Sequence, residues 1–209
     1  MEHIGTVEAS RRLEASPDRA ALARAYNDVI EAILTSPLWA PERPGGLRIP
    51  WRAAREAMAH PDLRGAFASP GLYIFGSAAP SPVYLGMTSG WLKGRLMNRY
   101  VRQGVGVESQ CQLAATYRCA LVAHGLAGFP EEIRTRNGRD RNPVRLTGAV
   151  AFARHGIDGI WFALVPFADP KAVRPIEKKI ISIAAEWNRD HGHPPLLNQM
   201  ELKPYWPPA

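Results

Sequence analysis

The chain is poor in the features that mark secreted, membrane-spanning or metal-caged proteins. It holds two cysteines, Cys111 and Cys119, in 209 residues, too few for a disulfide framework or a cysteine-rich zinc site. Eight positions apart, they share one face of a helix and read as small buried apolar groups. No apolar run approaches the roughly 20 residues that a membrane-crossing helix needs. The opening Met1-Glu2-His3-Ile4-Gly5 lacks a positive region followed by an apolar stretch, so no secretory signal is read there. A soluble, cytoplasmic protein without a membrane partner is the expectation. Histidine is sparse as well, six in all. His191-Gly192-His193 sits beside Pro194-Pro195 with no cysteine or acidic cluster near it, which argues against a metal pair. His124 and His155 fall in no pattern.

Acidic residues are also in short supply: 19 Asp and Glu face 26 Lys and Arg, giving a net charge of +7. Such a balance suits a polyanionic partner, because Lys and Arg displace counterions condensed on phosphates, although many basic proteins have no such partner. The distribution is more telling than the total. Between Lys93 and Arg145 there are ten Lys or Arg against four Asp or Glu, so six of the seven net charges fall there. A surface that contacts a phosphate backbone requires that kind of concentration.

Along the chain, Asp18 to Thr35 reads as an amphipathic helix, with Ala21, Ala25, Val29, Ile30 and Ile33 at helical spacing, Ser16 as N-cap and Pro17 at the first position. The run Pro41-Glu42-Arg43-Pro44-Gly45-Gly46 reads as a loop, and Trp51 to His60 as a short helix. These first 68 residues look like a helical arm placed before the main domain, residues 69–209. Gly71 to Phe75 and Val83 to Gly86 read as a hairpin joined through Pro80-Ser81-Pro82. Trp91 to Val101 and Gln110 to Leu126 read as helices, separated from the apolar strand Gly159 to Pro166 by the Arg-rich, turn-rich stretch 129–147. Pro175 to Trp187 follows as a helix with Ile176, Ile180, Ile183, Ala184 and Trp187 on one side. There is no internal repeat.

In order, the second half gives a hairpin, a basic helix, an insertion at about 103–155, a buried strand, a helix with an early Glu, and Pro194-Pro195-Leu196-Leu197-Asn198. The residues Gly71-Leu72-Tyr73, Tyr84-Leu85-Gly86, Thr88, Arg95, Glu177 and Asn198 match the signature of the GIY-YIG nucleases in type and order. The chain resembles that superfamily over about Ser69 to Gln199. Each short motif is weak alone; the ordered set is specific. The resemblance implies an α+β fold, a small, mainly antiparallel three-stranded sheet flanked by helices.

It also implies a chemistry that these residue types serve. Tyr73 and Tyr84, on adjacent strands, would bring two phenolic oxygens near one water, Tyr73 acting as general base or proton relay. A free phenol ionises near pH ~10, so that role needs a cation close by. Arg95 offers a fixed fork of donors to phosphate oxygens. Glu177 would hold one divalent cation per site, Mg²⁺ or Mn²⁺; such an ion binds through one or two carboxylates plus substrate phosphate and keeps several waters. Asn198 would close the site through its amide. Taken singly, the tyrosines read as packing, Arg95 and Glu177 as solvated helix charges, Asn198 as a turn residue, and a first-turn Glu as a partner of the helix dipole.

Two departures from the family pattern stand out. The His or Tyr expected one turn after the Arg is replaced by Arg99, with Tyr100 one position further. Tyr100 is the candidate for that slot, and Arg99 the alternative, as a second phosphate clamp. The stretch from Gly86 to Arg95 is one residue longer than is common in the family, which leaves room for Lys93 to reach the site. With Thr88, these cations and Arg134, Arg136, Arg139, Arg141 and Arg145 of the insertion form the expected nucleic-acid surface, since Arg reads guanine edges in the major groove. The expectation is therefore a metal-dependent DNA endonuclease of restriction type, acting as a homodimer on a palindromic site. A structure- or single-strand-specific nuclease and a catalytically silent nucleic-acid-binding module are the alternatives.

Overall fold

Every residue of Gly71–Gly76 is buried, the mark of a strand covered on both faces. The structure is a computed structural model, described over residues 6–16, 18–76, 81–97, 160–193 and 196. Its elements are α1 (Thr6–Glu14), α2 (Arg19–Thr35), β1 (Ile49–Pro50), α3 (Ala54–Ala59), α4 (Arg64–Ala68), β2 (Gly71–Gly76), β3 (Pro82–Thr88), α5 (Leu92–Leu96), β4 (Trp161–Pro166) and α6 (Val173–Asp190). The strands form one antiparallel sheet in the order β1-β4-β2-β3.

The protein is thus α+β with an antiparallel sheet flanked by helices, but four strands are present where three were expected. The added strand is Ile49–Pro50, which pairs with Trp161 and Phe162. Its proline is tolerated because β1 lies at the edge of the sheet, and the proline-rich context before it masked the strand signal.

Period-two alternation divides the sheet cleanly. Tyr73, Phe75, Tyr84, Phe162 and Leu164 face one way and pack under α3, α4 and α5, with Trp51, Met58, Phe67, Leu92 and Leu96. Leu72, Ile74, Leu85, Met87, Ala163 and Val165 face the other way and meet α1, α2 and α6 through Leu13, Val29, Ile30, Ile33, Ile176 and Ile180. The core therefore crosses residue 68 on both faces. Polar ties reinforce it: Arg19 of α2 pairs with Glu186 and donates to the Ser182 hydroxyl of α6. The Glu14 carboxylate accepts the backbone N–H groups of Ala168 and Asp169 just beyond β4.

Helix ends differ from expectation in two places. Asp18, not Ser16, caps α2, its carboxylate accepting the Ala21 N–H at 2.8 Å. Ser16 is engaged with α1, which the sequence reading lacks, its hydroxyl donating to the Arg12 carbonyl at 2.6 Å. Pro17 lies outside the described residues. The last helix starts at Val173 rather than Pro175. The helix read at Gln110 to Leu126, both cysteines and the insertion at 103–155 also lie outside the described residues.

Ile30 is fully buried between α2 and the sheet, so Ile30→Ala is expected to cost about 2–5 kcal/mol. Because the core is shared across residue 68, the loss should appear as one cooperative transition at lower denaturant. Separate transitions, with the sheet's unchanged, would show residues 6–35 to be an independent arm.

Candidate active site

The two strands of the hairpin are held in a register that pairs Tyr73 with Gly86 and Phe75 with Tyr84. All four project on the same face. The rings of Tyr73, Phe75 and Tyr84 form a triangle: Tyr73 meets Phe75 edge-on at 5.8 Å between centroids. Tyr84 lies tilted at 6.4 Å from Tyr73 and 6.3 Å from Phe75. Tyr73 and Tyr84 are both buried.

Both motif glycines have a physical reason. Gly71 has φ of 149°, a backbone state that side chains avoid, and a Cβ there would sit 2.2 Å from the Val165 carbonyl oxygen of β4. Gly86 is demanded by the Tyr73 ring, which lies across it: a Cβ would stand 2.1 Å from Tyr73 Cζ and 2.2 Å from its hydroxyl oxygen. The absence of a side chain lets the phenol cross β3 toward α5. There Arg95 Nε donates to the Tyr73 hydroxyl at 3.3 Å. Arg95 is half-buried, so one guanidinium meets both an enclosed phenol and solvent.

Strand β3 leads into α5 through a tight turn in which the Thr88 hydroxyl accepts the Gly90 N–H at 3.2 Å. The half-buried Thr88 is thereby committed to shaping the turn. The short helix is anchored by Leu92, fully buried, whose N–H reaches the Ser69 carbonyl at 2.9 Å. Lys93 is exposed on it.

Glu177 is exposed and forms no hydrogen bond or ion pair among the described residues. It stands in the second turn of α6, not the first as expected, where the helix dipole has largely faded. That removes the dipole explanation for an acidic residue here. Its position follows from Asn188, which is fully buried and donates from Nδ2 to the Pro82 carbonyl, at the start of β3, at 2.9 Å. Eleven residues make about three turns, so Glu177 lies on nearly the same flank of α6, about 16 Å toward the helix N-terminus. Helix α6 packs against β3 on the face of the sheet opposite the phenols. The structure thus joins Tyr73, Tyr84 and Arg95 directly. Glu177 is rooted on α6, which packs on the opposite face of the sheet.

Among the described residues no three His, Cys, Asp or Glu side chains gather in a metal-holding group. His191 and His193 instead stack near Trp187, at 4.1 and 5.3 Å between centroids. Burial first, and the neighbouring His191 second, hold the His193 pKa below its ordinary value. Tyr100, Arg99, Asn198, Arg134, Arg136, Arg139, Arg141, Arg145, His124 and His155 lie outside the described residues.

Sequence reasoning missed Asn188, whose buried amide had no signal beyond its place on an apolar helix. It also passed over Phe75 as part of the aromatic cluster, and Trp91, 73% exposed at the head of α5. Compared with protein-family models, curated proteins and solved structures, the chain matches none. Among the described residues no helix is long and apolar enough to cross a membrane.

Gly86→Ala is expected to displace the Tyr73 ring, costing about 1–3 kcal/mol by overpacking. Paired with Tyr73→Leu, it should become nearly neutral, a coupling of at least about 1 kcal/mol in a double-mutant cycle by denaturant unfolding. An equal cost in both backgrounds would show that the ring does not lie over Gly86.

Proposed function

We propose that this chain is a divalent-metal-dependent endonuclease that hydrolyses DNA phosphodiester bonds by chemistry of the GIY-YIG type. The observation that carries this reading is the Arg95–Tyr73 hydrogen bond made across Gly86. It joins three positions of the sequence signature in one contact, and it pairs a phenol with the cation a phenol needs to act as base or relay. A guanidinium donating to a phenolic oxygen stabilises negative charge there and offers planar donors to phosphate oxygens.

The residues fit a lone divalent cation better than a protein-enclosed one. Glu177 is a single exposed carboxylate with no protein cation bound to it among the described residues, the ligand set of an ion shared with substrate phosphate. Glu177 would hold that Mg²⁺ or Mn²⁺, which would supply charge neutralisation at the phosphoryl oxygens. On this reading Arg95 orients the phosphate and balances its developing charge, and Tyr73 moves the proton of the attacking water. Tyr84 and Phe75 pack against the phenol ring and hold its orientation. Tyr100 and Asn198 complete the proposed set, and Lys93, Arg99 and the insertion's arginines would contact the DNA backbone and bases. We further propose a restriction-type enzyme that cuts two strands as a homodimer, because one chain carries one site. The exposed aromatic residue at the head of α5 favours one alternative, a nuclease for unpaired DNA.

Incubation with plasmid, single-stranded DNA and RNA in Mg²⁺ is expected to give cleavage of DNA that chelator abolishes. Arg95→Ala should lower kcat by about 10²–10³-fold, the usual cost of one donor to a developing charge. Glu177→Ala should remove the metal-dependent activity. Absence of metal-dependent cleavage of any of the three by the intact chain would refute the nuclease reading. Discrete plasmid fragments would support restriction, and nicking or smearing the alternative.

A further inference from the structure

Trp91 is the most exposed large apolar side chain among the described residues, with 73% of its surface in solvent. A singly exposed apolar residue is ordinary, but indole is large and usually well covered. The backbone that carries it is fixed on both sides. Before it, the Gly90 N–H is bonded to the Thr88 hydroxyl at 3.2 Å. After it, Leu92 is fully buried, its N–H bonded to the Ser69 carbonyl at 2.9 Å. The Trp91 carbonyl itself accepts the Arg95 N–H at 3.0 Å. The backbone that carries the indole is therefore held, one helical turn from the arginine that meets Tyr73, with exposed Lys93 in the same turn.

An exposed aromatic face on the same short helix as two cations suits a nucleobase and its flanking phosphates, the ring by stacking and the cations by charge. We propose that Trp91 stacks on a DNA base that has left the helical stack next to the phosphate held by Arg95. A base inside a paired duplex shows only its edge; its face is offered in a single strand or at a kink. The inference rests on the nuclease reading and narrows its substrate to DNA with an unstacked base at the cut.

The test is binding of a fluorescein-labelled single-stranded DNA oligonucleotide to the full chain in chelator, followed by anisotropy across a salt series. Trp91→Ala is expected to weaken binding about 5- to 100-fold, as loss of one base–aromatic stack does, with Trp91→Phe largely restoring it. The slope of log affinity against log salt should stay unchanged for Trp91→Ala and fall by about one ion for Lys93→Ala. An unchanged thermal midpoint for Trp91→Ala is expected, since its side chain lies outside the core. Affinity equal to the intact chain's, or a reduced salt slope in Trp91→Ala, would overturn the stacking role. If the intact chain cleaves DNA while Trp91→Ala binds as well as it does, only this inference fails. If the intact chain neither binds nor cleaves DNA, the nuclease reading fails with it.

Discussion

The Tyr73 ring lying across Gly86 is the contact on which the rest of the candidate site depends. A side chain at position 86 would occupy the space of the phenol, and the tyrosine would have to turn back toward its own strand. With hydrogen there instead, the ring spans the neighbouring strand and delivers its oxygen to Arg95. The buried cluster around it, with Phe75 and Tyr84 against the ring, holds the phenol in one orientation. The orientation of the phenol is thus set by packing.

That crossing also explains how much could be read from the chain. Gly71, Tyr73, Tyr84 and Gly86 are informative because their types follow from strand geometry. One glycine relieves a strained φ and a close carbonyl, the other a ring, and the two tyrosines share a face through period-two alternation. The strand pair, α2, β4 and α6 were legible for the same reason, since each carries a strong apolar period. β1 was not, because a two-residue strand ending in proline has no period to show. Helix α1 is mostly polar, and among its described side chains only Leu13 and Ser10 are buried, so alternation is nearly silent there. The N-cap of α2 was misassigned because Ser16 and Asp18 are equally good capping residues, and only the presence of α1 decides which helix each serves.

The N-terminal residues illustrate a different limit. Read from composition, they precede the hairpin and share none of its motifs, so they look separable. In the fold they provide two helices on one face of the sheet, two on the other, and an edge strand. A hairpin with one added strand leaves two broad apolar faces, and such a sheet is stable only when both are covered. Sequence pattern shows that a face needs covering; which segment covers it is a long-range fact.

The position of Glu177 follows from this two-faced arrangement. Its helix packs against the side of the sheet opposite the phenols, so the carboxylate and Tyr73 can serve one phosphate only around the rim of the sheet. The strand at that rim is β3, which pairs with β2 alone among the described strands. Had another strand been added beyond β3, the route between the two faces would be closed. Among the described strands the order β1-β4-β2-β3 adds its extra strand at the far edge. The Asn188 amide, bonded to the first carbonyl of β3, ties α6 to that strand. The partition of the sheet thus bears on the proposed chemistry: among the described residues the aromatic and cationic groups come from one face and the acidic group from the other, and on that proposal a phosphodiester would meet both at the β3 edge.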